Sequence, residues 1–185
     1  MPCVPARSGD RGVIGGVPVP KPFAVLLAIV AVVVGFLLFE PNTSAAKQAE
    51  NFRLYSTGGK LVSLEDMRGK VVVLDFFATW CSPCRRAVPD LERLYEQYRD
   101  VGIVVLGVNI HDTNDPVEYA DRMGISYPIL VAGEGVAERY GVSGIPAFVV
   151  VSPEGEIVFR EDGWSPKVMK ELVAAVDAQL ERLGH

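Results

Sequence analysis

Hydrophobic and polar positions change their spacing several times along this 185-residue chain, and each change marks an element. KVVVLDFFA (70–78) is apolar at both alternating positions and rich in β-branched and aromatic residues, which predicts a strand covered on both faces. After it the period lengthens. From Cys84 onward, Val88, Leu91, Leu94, Tyr95 and Tyr98 recur at helical spacing with charges between them, so strand meets helix at Cys81 and Cys84. GIVVLGVNI (102–110) reads as a second buried strand, DPVEYADRMG (115–124) as a helix opened by Pro116 and closed by Gly124, and YPILV (127–131) as a third strand. GEGVAERYGV (133–142) is a short helix. PAFVVVSPEGEIVFRED (146–162) alternates and turns at PEGE, an antiparallel hairpin, and SPKVMKELVAAVDAQLERL (165–183) is an amphipathic helix with Ser165 as cap and Pro166 behind it. Ahead of all this, NFRLYS (51–56) and KLVSL (60–64) flank TGG as a small hairpin, with Ser63 the expected cap of one helical turn. The order β-α-β-α-β-α-β-β-α predicts an α/β fold of three layers, α/β/α, around a mixed central sheet.

One block stands apart from this pattern. Phe23–Phe39 (FAVLLAIVAVVVGFLLF) has no polar face, and at about 1.5 Å per residue it spans roughly 26 Å as a helix, against a hydrocarbon core of roughly 30 Å. Arg7, Arg11 and Lys21 precede it, which places the N-terminus on the cytoplasmic side and everything after residue 40 outside. The expected organisation is a cytoplasmic segment at 1–22, a transmembrane signal anchor at 23–39, a polar linker at 40–50 and one domain at 51–185. A cleaved signal peptide with its site at Ser44–Ala46 is the competing reading, and the long apolar core favours retention. Residues 47–185 carry 15 Lys and Arg against 21 Asp and Glu, a balance of −6, which disfavours a nucleic-acid-binding surface.

The chemistry-bearing feature is the pair Cys81 and Cys84, since Cys3 lies far off before the apolar block. In a first helical turn, residues three apart stand on one side, within the roughly 4.4 to 6.8 Å between Cα atoms that a disulfide needs. The helix N-terminus favours a thiolate, and such sites bring cysteine pKa values down to roughly 3.5 to 7.5. Cys81 is therefore the expected nucleophile and Cys84, one turn in and less exposed, the resolving thiol. Pro83 is tolerated where helical N–H groups have no partner and stiffens the turn, whereas Pro89 deletes one helical bond and kinks the axis. A purely structural disulfide enclosing only Ser82 and Pro83 restricts the unfolded chain little. Zinc binding lacks a second Cys or His pair, because His111 and His185 are isolated, and His111 reads as a surface loop residue. Asp75 inside an apolar strand should have a raised pKa.

DFFATWCSPCRRAVP resembles the thioredoxin superfamily, with Trp80, Cys81, Cys84 and Pro89 at the positions of its Trp-Cys-x-x-Cys helix start and helix proline. GIPAFVV resembles the family's cis-proline loop, which implies a cis Ile145–Pro146 bond and a backbone that pairs with the bound partner. The insertion at 109–142 and the N-terminal apolar block are most similar to the membrane-tethered TlpA, ResA and CcmG-type thiol-disulfide oxidoreductases. Two features mix the subfamilies: Ala87 stands where the ResA-like subset has a glutamate, and Asp75 matches the buried aspartate of cytosolic thioredoxins, implicated in proton transfer at the second cysteine.

The resemblance implies a protein-disulfide reductase on the outer face of a bacterial cytoplasmic membrane. Cys81, Cys84 and Asp75 would be catalytic, and Trp80, Pro83, Ile145 and Pro146 would contact substrate. No cofactor or metal is expected, since the dithiol carries both electrons. Implied partners are disulfide-bearing exported proteins such as apocytochrome c or the copper-insertion machinery of an oxidase, with a CcdA-type membrane thiol transporter as electron donor. The alternative is a thioredoxin-fold metallochaperone holding a soft ion, such as copper, between the same thiolates. A peroxidase is weaker still, because the Pro-x-x-x-Thr-x-x-Cys pattern is missing.

Overall fold

Seven strands and four helices make up the residues described by the computed structural model, 47–184. The apolar block at 23–39, Cys3, the 1–22 segment, the cleavage alternative at Ser44–Ala46 and most of the linker lie outside that range. Among the described residues no helix is long and apolar enough to cross a membrane.

β1 (Arg53–Tyr55) and β2 (Leu61–Ser63) form an antiparallel ribbon. β3 (Val71–Phe77), β4 (Ile103–Asn109), β5 (Ile129–Leu130), β6 (Ala147–Val151) and β7 (Ile157–Asp162) form one sheet in the order β5-β4-β3-β6-β7. β3, β4 and β5 run parallel, while β6 is antiparallel to both β3 and β7, so the sheet is mixed as expected. The helices are α1 (Ser82–Tyr98), α2 (Pro116–Met123), α3 (Glu134–Arg139) and α4 (Pro166–Leu183).

Every residue of β3 is buried, and its alternation sorts the helices onto the two faces of the sheet. Val72, Leu74 and Phe76 pack with Val136 and Ala137 of α3 and with Tyr140. Val71 and Val73 pack with Ala87, Leu91 and Leu94 of α1 and with Leu172 and Val176 of α4. A strand apolar on both faces thus builds both halves of the core. Asp75 belongs by parity to the α1 face.

α1 starts at Ser82 with Cys81 as its N-cap, so the helix begins at the cysteines as expected. Three boundaries differ from the sequence reading, each for a local reason. The third strand shrinks to Ile129–Leu130, and its outer side is covered by the end of β1, through Thr57 N–H to Ile129 O at 2.9 Å and Val131 N–H to Tyr55 O at 2.9 Å. Ser63 does not cap the single turn at Glu65–Met67. Asn51 replaces it: its Oδ1 accepts from Glu65 N–H at 3.0 Å and from Ser63 Oγ at 3.2 Å, a partner fourteen residues away from the turn it ends. Lys47–Glu50, polar enough to read as tether, is bound to the domain by backbone. Ala49 N–H donates to Gly155 O at 2.9 Å, Ile157 N–H to Lys47 O at 2.8 Å, and the Tyr140 hydroxyl to Glu50 O at 2.7 Å.

Gly133, the cap of α3, lies where a Cβ would overlap Val108 Cγ1 and stand 3.1 Å from the Asn109 carbonyl oxygen. Val108 is fully buried and cannot swing away. Gly133→Ala should therefore lower stability by about 1–3 kcal/mol as an overpacked site, read as a drop in the denaturant midpoint at unchanged slope.

Candidate active site

The site begins where β3 hands the chain to α1. Cys81 N–H donates to the Ala78 carbonyl at 3.0 Å, which turns the chain after the strand, and Cys81 takes an extended backbone (φ −76°, ψ 109°) as the N-cap. Its Sγ accepts the N–H of Cys84 at 3.2 Å. The two cysteines are joined in a disulfide with Cα atoms 5.3 Å apart, inside the range that needs no backbone movement. Pro83 lies in the first turn, where its missing N–H costs nothing, and Pro89 sits inside the helix. The expected difference in exposure between the thiols is not present in the disulfide form, because both residues are buried. What distinguishes them is position. Cys81 stands at the positive end of the helix, and Cys84 lies one turn inside.

Beside the disulfide, the Ile145–Pro146 peptide is cis. Ile145 packs on the cluster of Phe77, Ala78, Cys81, Cys84, Tyr119 and Ile129, while Pro146 is buried. Trp80 and Ile145 line a groove of about 410 Å³ with His111, Glu134, Glu138 and Val142. Trp80 is 58% exposed, and its indole N–H donates to the His111 carbonyl at 3.0 Å. His111 (φ 50°) enters through its backbone, its N–H donating to the Glu134 carboxylate at 2.8 Å. Trp80 and Ile145 thus share one groove, whereas Pro83 and Pro146 are not on its wall.

The sequence reading passed over the residue that holds the pre-cysteine turn. The Asp112 carboxylate accepts from the Thr79 N–H, from Thr79 Oγ1 at 3.0 Å, from Asn109 Nδ2 at 3.1 Å and from the Asn114 N–H at 3.0 Å. Partial burial pushes its pKa up, but the hydrogen bonds from Thr79, Asn114 and Asn109 outweigh it and leave the carboxyl below its ordinary value. The signal was an Asp-x-Asn turn immediately after a strand; the contact with Thr79, 33 residues earlier, had no trace in the sequence pattern.

Asp75 lies beneath α1, in register with Gly107 of β4 and Phe148 of β6. It is buried, its Oδ2 lies 3.4 Å from the Tyr127 hydroxyl, and its Oδ1 has no partner. Burial pushes its pKa from 3.8 up to about 7, against the hydrogen bond from Tyr127, which works downward. The neighbouring Tyr119 hydroxyl is also buried without a partner, and burial followed by the charge of Asp75 pushes its pKa up to about 12. The sequence expectation for Asp75 named the direction but neither tyrosine.

A raised carboxyl pKa has a definite thermodynamic sign. The folded chain keeps a proton that the unfolded chain has already released, so the contribution of Asp75 to stability is greatest below pH 3.8 and falls until about 7, by on the order of 4 kcal/mol at about 1.4 kcal/mol per pH unit. Asp75→Asn removes this term. Its stability relative to the native sequence should grow from pH 4 to pH 8 by that order, measured by denaturant unfolding of the disulfide form; a constant difference would mean that Asp75 is not held protonated.

Comparison with known proteins agrees with this geometry. Residues 45–160 match the AhpC/TSA family. The thiol-disulfide oxidoreductase ResA of Halalkalibacterium halodurans is 32% identical over 154 residues, covering 79% of this chain and 88% of that protein. ResA of Geobacillus kaustophilus is 34% identical over 137 residues, covering 72% and 79%. Among solved structures, a putative thiol:disulfide interchange protein DsbE from Chlorobium tepidum superposes with a TM-score of 0.68 at 28% identity, over 73% of this chain and 96% of that one. With its thioredoxin-like mixed sheet and paired cysteines, the chain belongs to the AhpC/TSA family and is a thiol-disulfide oxidoreductase.

Proposed function

We propose that this enzyme is an extracytoplasmic protein-disulfide reductase, tethered by the 23–39 segment and acting on exported proteins. The observation that carries the chemistry is the Cys81–Cys84 pair at the start of α1, with the buried Asp75 on the same face of the sheet. In the reduced enzyme the Cys81 thiolate attacks one sulfur of a substrate disulfide, forming a mixed disulfide and expelling the other sulfur as a thiolate. Asp75 takes the proton of Cys84, whose thiolate attacks Cys81 Sγ. The Cys81–Cys84 bond closes, the second substrate sulfur leaves, and the two thiolates take up two protons. Two electrons pass from enzyme to substrate.

The groove supports a polypeptide substrate. Trp80 and Ile145 border it, and Ile145 packs on the cluster that holds both cysteines. The implied substrates are apocytochrome c or an oxidase copper-insertion protein, with a CcdA-type transporter returning the enzyme to the dithiol form. Basic residues before Phe23 and the charge-free span after them support an outward-facing domain. The metallochaperone alternative is not favoured, because the relatives are named oxidoreductases.

Cys84→Ala should trap substrates as mixed disulfides on Cys81, seen as adducts on non-reducing gels that thiol reductant dissolves. Adducts forming only with the converse variant, Cys81→Ala, would reverse the roles. Topology is tested separately. A membrane-impermeant maleimide applied to intact spheroplasts after mild reduction should label Cys81 and Cys84 and spare Cys3; the opposite pattern would place the domain in the cytoplasm.

A further inference from the structure

The group that the dithiol cycle leaves unexplained is Tyr127, 52 residues from Asp75 in sequence and against it in space. Its position follows from the strand register. Asp75 pairs with Gly107 on the neighbouring parallel strand, so both present the same face of the sheet. A side chain on residue 107 would occupy the space beside the carboxyl; a Cβ there would come 3.3 Å from the Tyr127 ring and 3.0 Å from that of Phe77. The tyrosine ring fills the place that glycine leaves open. It is held there by Gly107 N–H to the Pro128 carbonyl at 2.9 Å, and by an edge contact with Tyr95 of α1, ring centroids 6.2 Å apart.

We propose that Tyr127 is a positioning residue for the resolving step: its hydroxyl, seated over Gly107, orients Asp75 and stabilises the carboxylate that takes the proton of Cys84. The inference rests on the role given to Asp75 in the proposed mechanism. Other groups around the carboxyl do less. On α2, Tyr119 faces it but its hydroxyl makes no hydrogen bond, and the charges of Arg85, Arg122 and Asp112 act on Tyr119. On α1, Glu92 acts on Tyr127, and the cysteines are the redox pair itself. β4 contributes only Gly107 at this register and β6 contributes the apolar Phe148. Of the side chains around it, Tyr127 is the one that donates a hydrogen bond to Asp75.

The sign of the effect follows. Removing a donor that favours the carboxylate raises the pH at which Asp75 ionises, so near neutrality less of it is free to accept a proton and resolution slows. The test is Tyr127→Phe, which keeps the ring and its packing. Carbonyl-carbon NMR titration of Asp75 in the disulfide form should show its midpoint move upward, by about threefold or more in proton affinity. Single-turnover release of a preformed mixed disulfide should show its pH profile displaced to alkaline pH by the same amount. In an Asp75→Asn background the Tyr127→Phe change should leave that profile where it is, which a merely structural role would not do. Tyr119→Phe should leave the Asp75 midpoint in place.

An unmoved Asp75 midpoint in Tyr127→Phe overturns the inference, whatever the kinetics. An equal displacement by Tyr119→Phe overturns the assignment to Tyr127. A displaced midpoint with an unmoved rate profile overturns instead the reading of Asp75 as proton acceptor. Should Tyr127→Phe fold poorly, Gly107→Ala, whose Cβ would press on the same ring at 3.3 Å, should displace the midpoint in the same direction.

Discussion

The N–H of Cys84 pointing at the sulfur of Cys81 is the contact on which the rest of the site depends. The first N–H groups of any helix lack an intrahelical acceptor, so the start of α1 is incomplete without a side chain to cap it. Sulfur fills the place usually taken by the oxygen of Ser, Asp or Asn, and as a weak acceptor when neutral it caps better as a thiolate. Capping the helix and fixing the position of the redox-active sulfur are thereby one interaction. The remaining architecture serves to hold it. β3, buried over its whole length, fixes where the chain leaves the sheet, and Ala87, Leu91 and Leu94 press α1 onto the same face. Asp112 secures Thr79, two residues before the cysteine.

Two carboxylates near the turn work in opposite directions because their surroundings differ. Asp112 sits at a loop rich in N–H donors, so its charge is favoured and orders the backbone. Asp75 lies among apolar side chains with one long hydrogen bond and an unpaired oxygen, so its charge is disfavoured and its proton is held. Leaving a buried acceptor unpaired costs about 1–3 kcal/mol. A fold with two apolar faces on its central strand can carry that cost, and the reactive centre is where it falls.

The fold was legible in the sequence to the extent that periodicity reports burial. β3, α1, β4, the β6–β7 hairpin and α4 all follow from the spacing of apolar positions, and the cysteines announced themselves by falling where the period changes. What stayed hidden was made by contacts between distant segments. Asn51 took over the cap expected of Ser63, Lys47–Glu50 paired its backbone despite a polar composition, and Tyr127 met Asp75 because a glycine on the next strand left room. None of these leaves a periodic trace, since each depends on which residue a folded neighbour presents.

The placement of the acid itself can be argued from packing. The resemblance to the ResA-like pattern leads one to expect a glutamate at position 87, but here Ala87 is fully buried among residues of the core, and a carboxylate on that side of α1 would have to displace apolar contacts with β3. Asp75 supplies a carboxyl from the strand side instead. The hydroxyls around it are those of Tyr119 and Tyr127 rather than water-exposed groups. A carboxyl left at 3.8 would be too weak a base for a thiol proton at neutral pH, while one driven far above 7 would rarely be ionised. Burial raises Asp75 and the tyrosine hydrogen bond restrains it, which leaves it at about 7, the range that the proton transfer proposed for it requires.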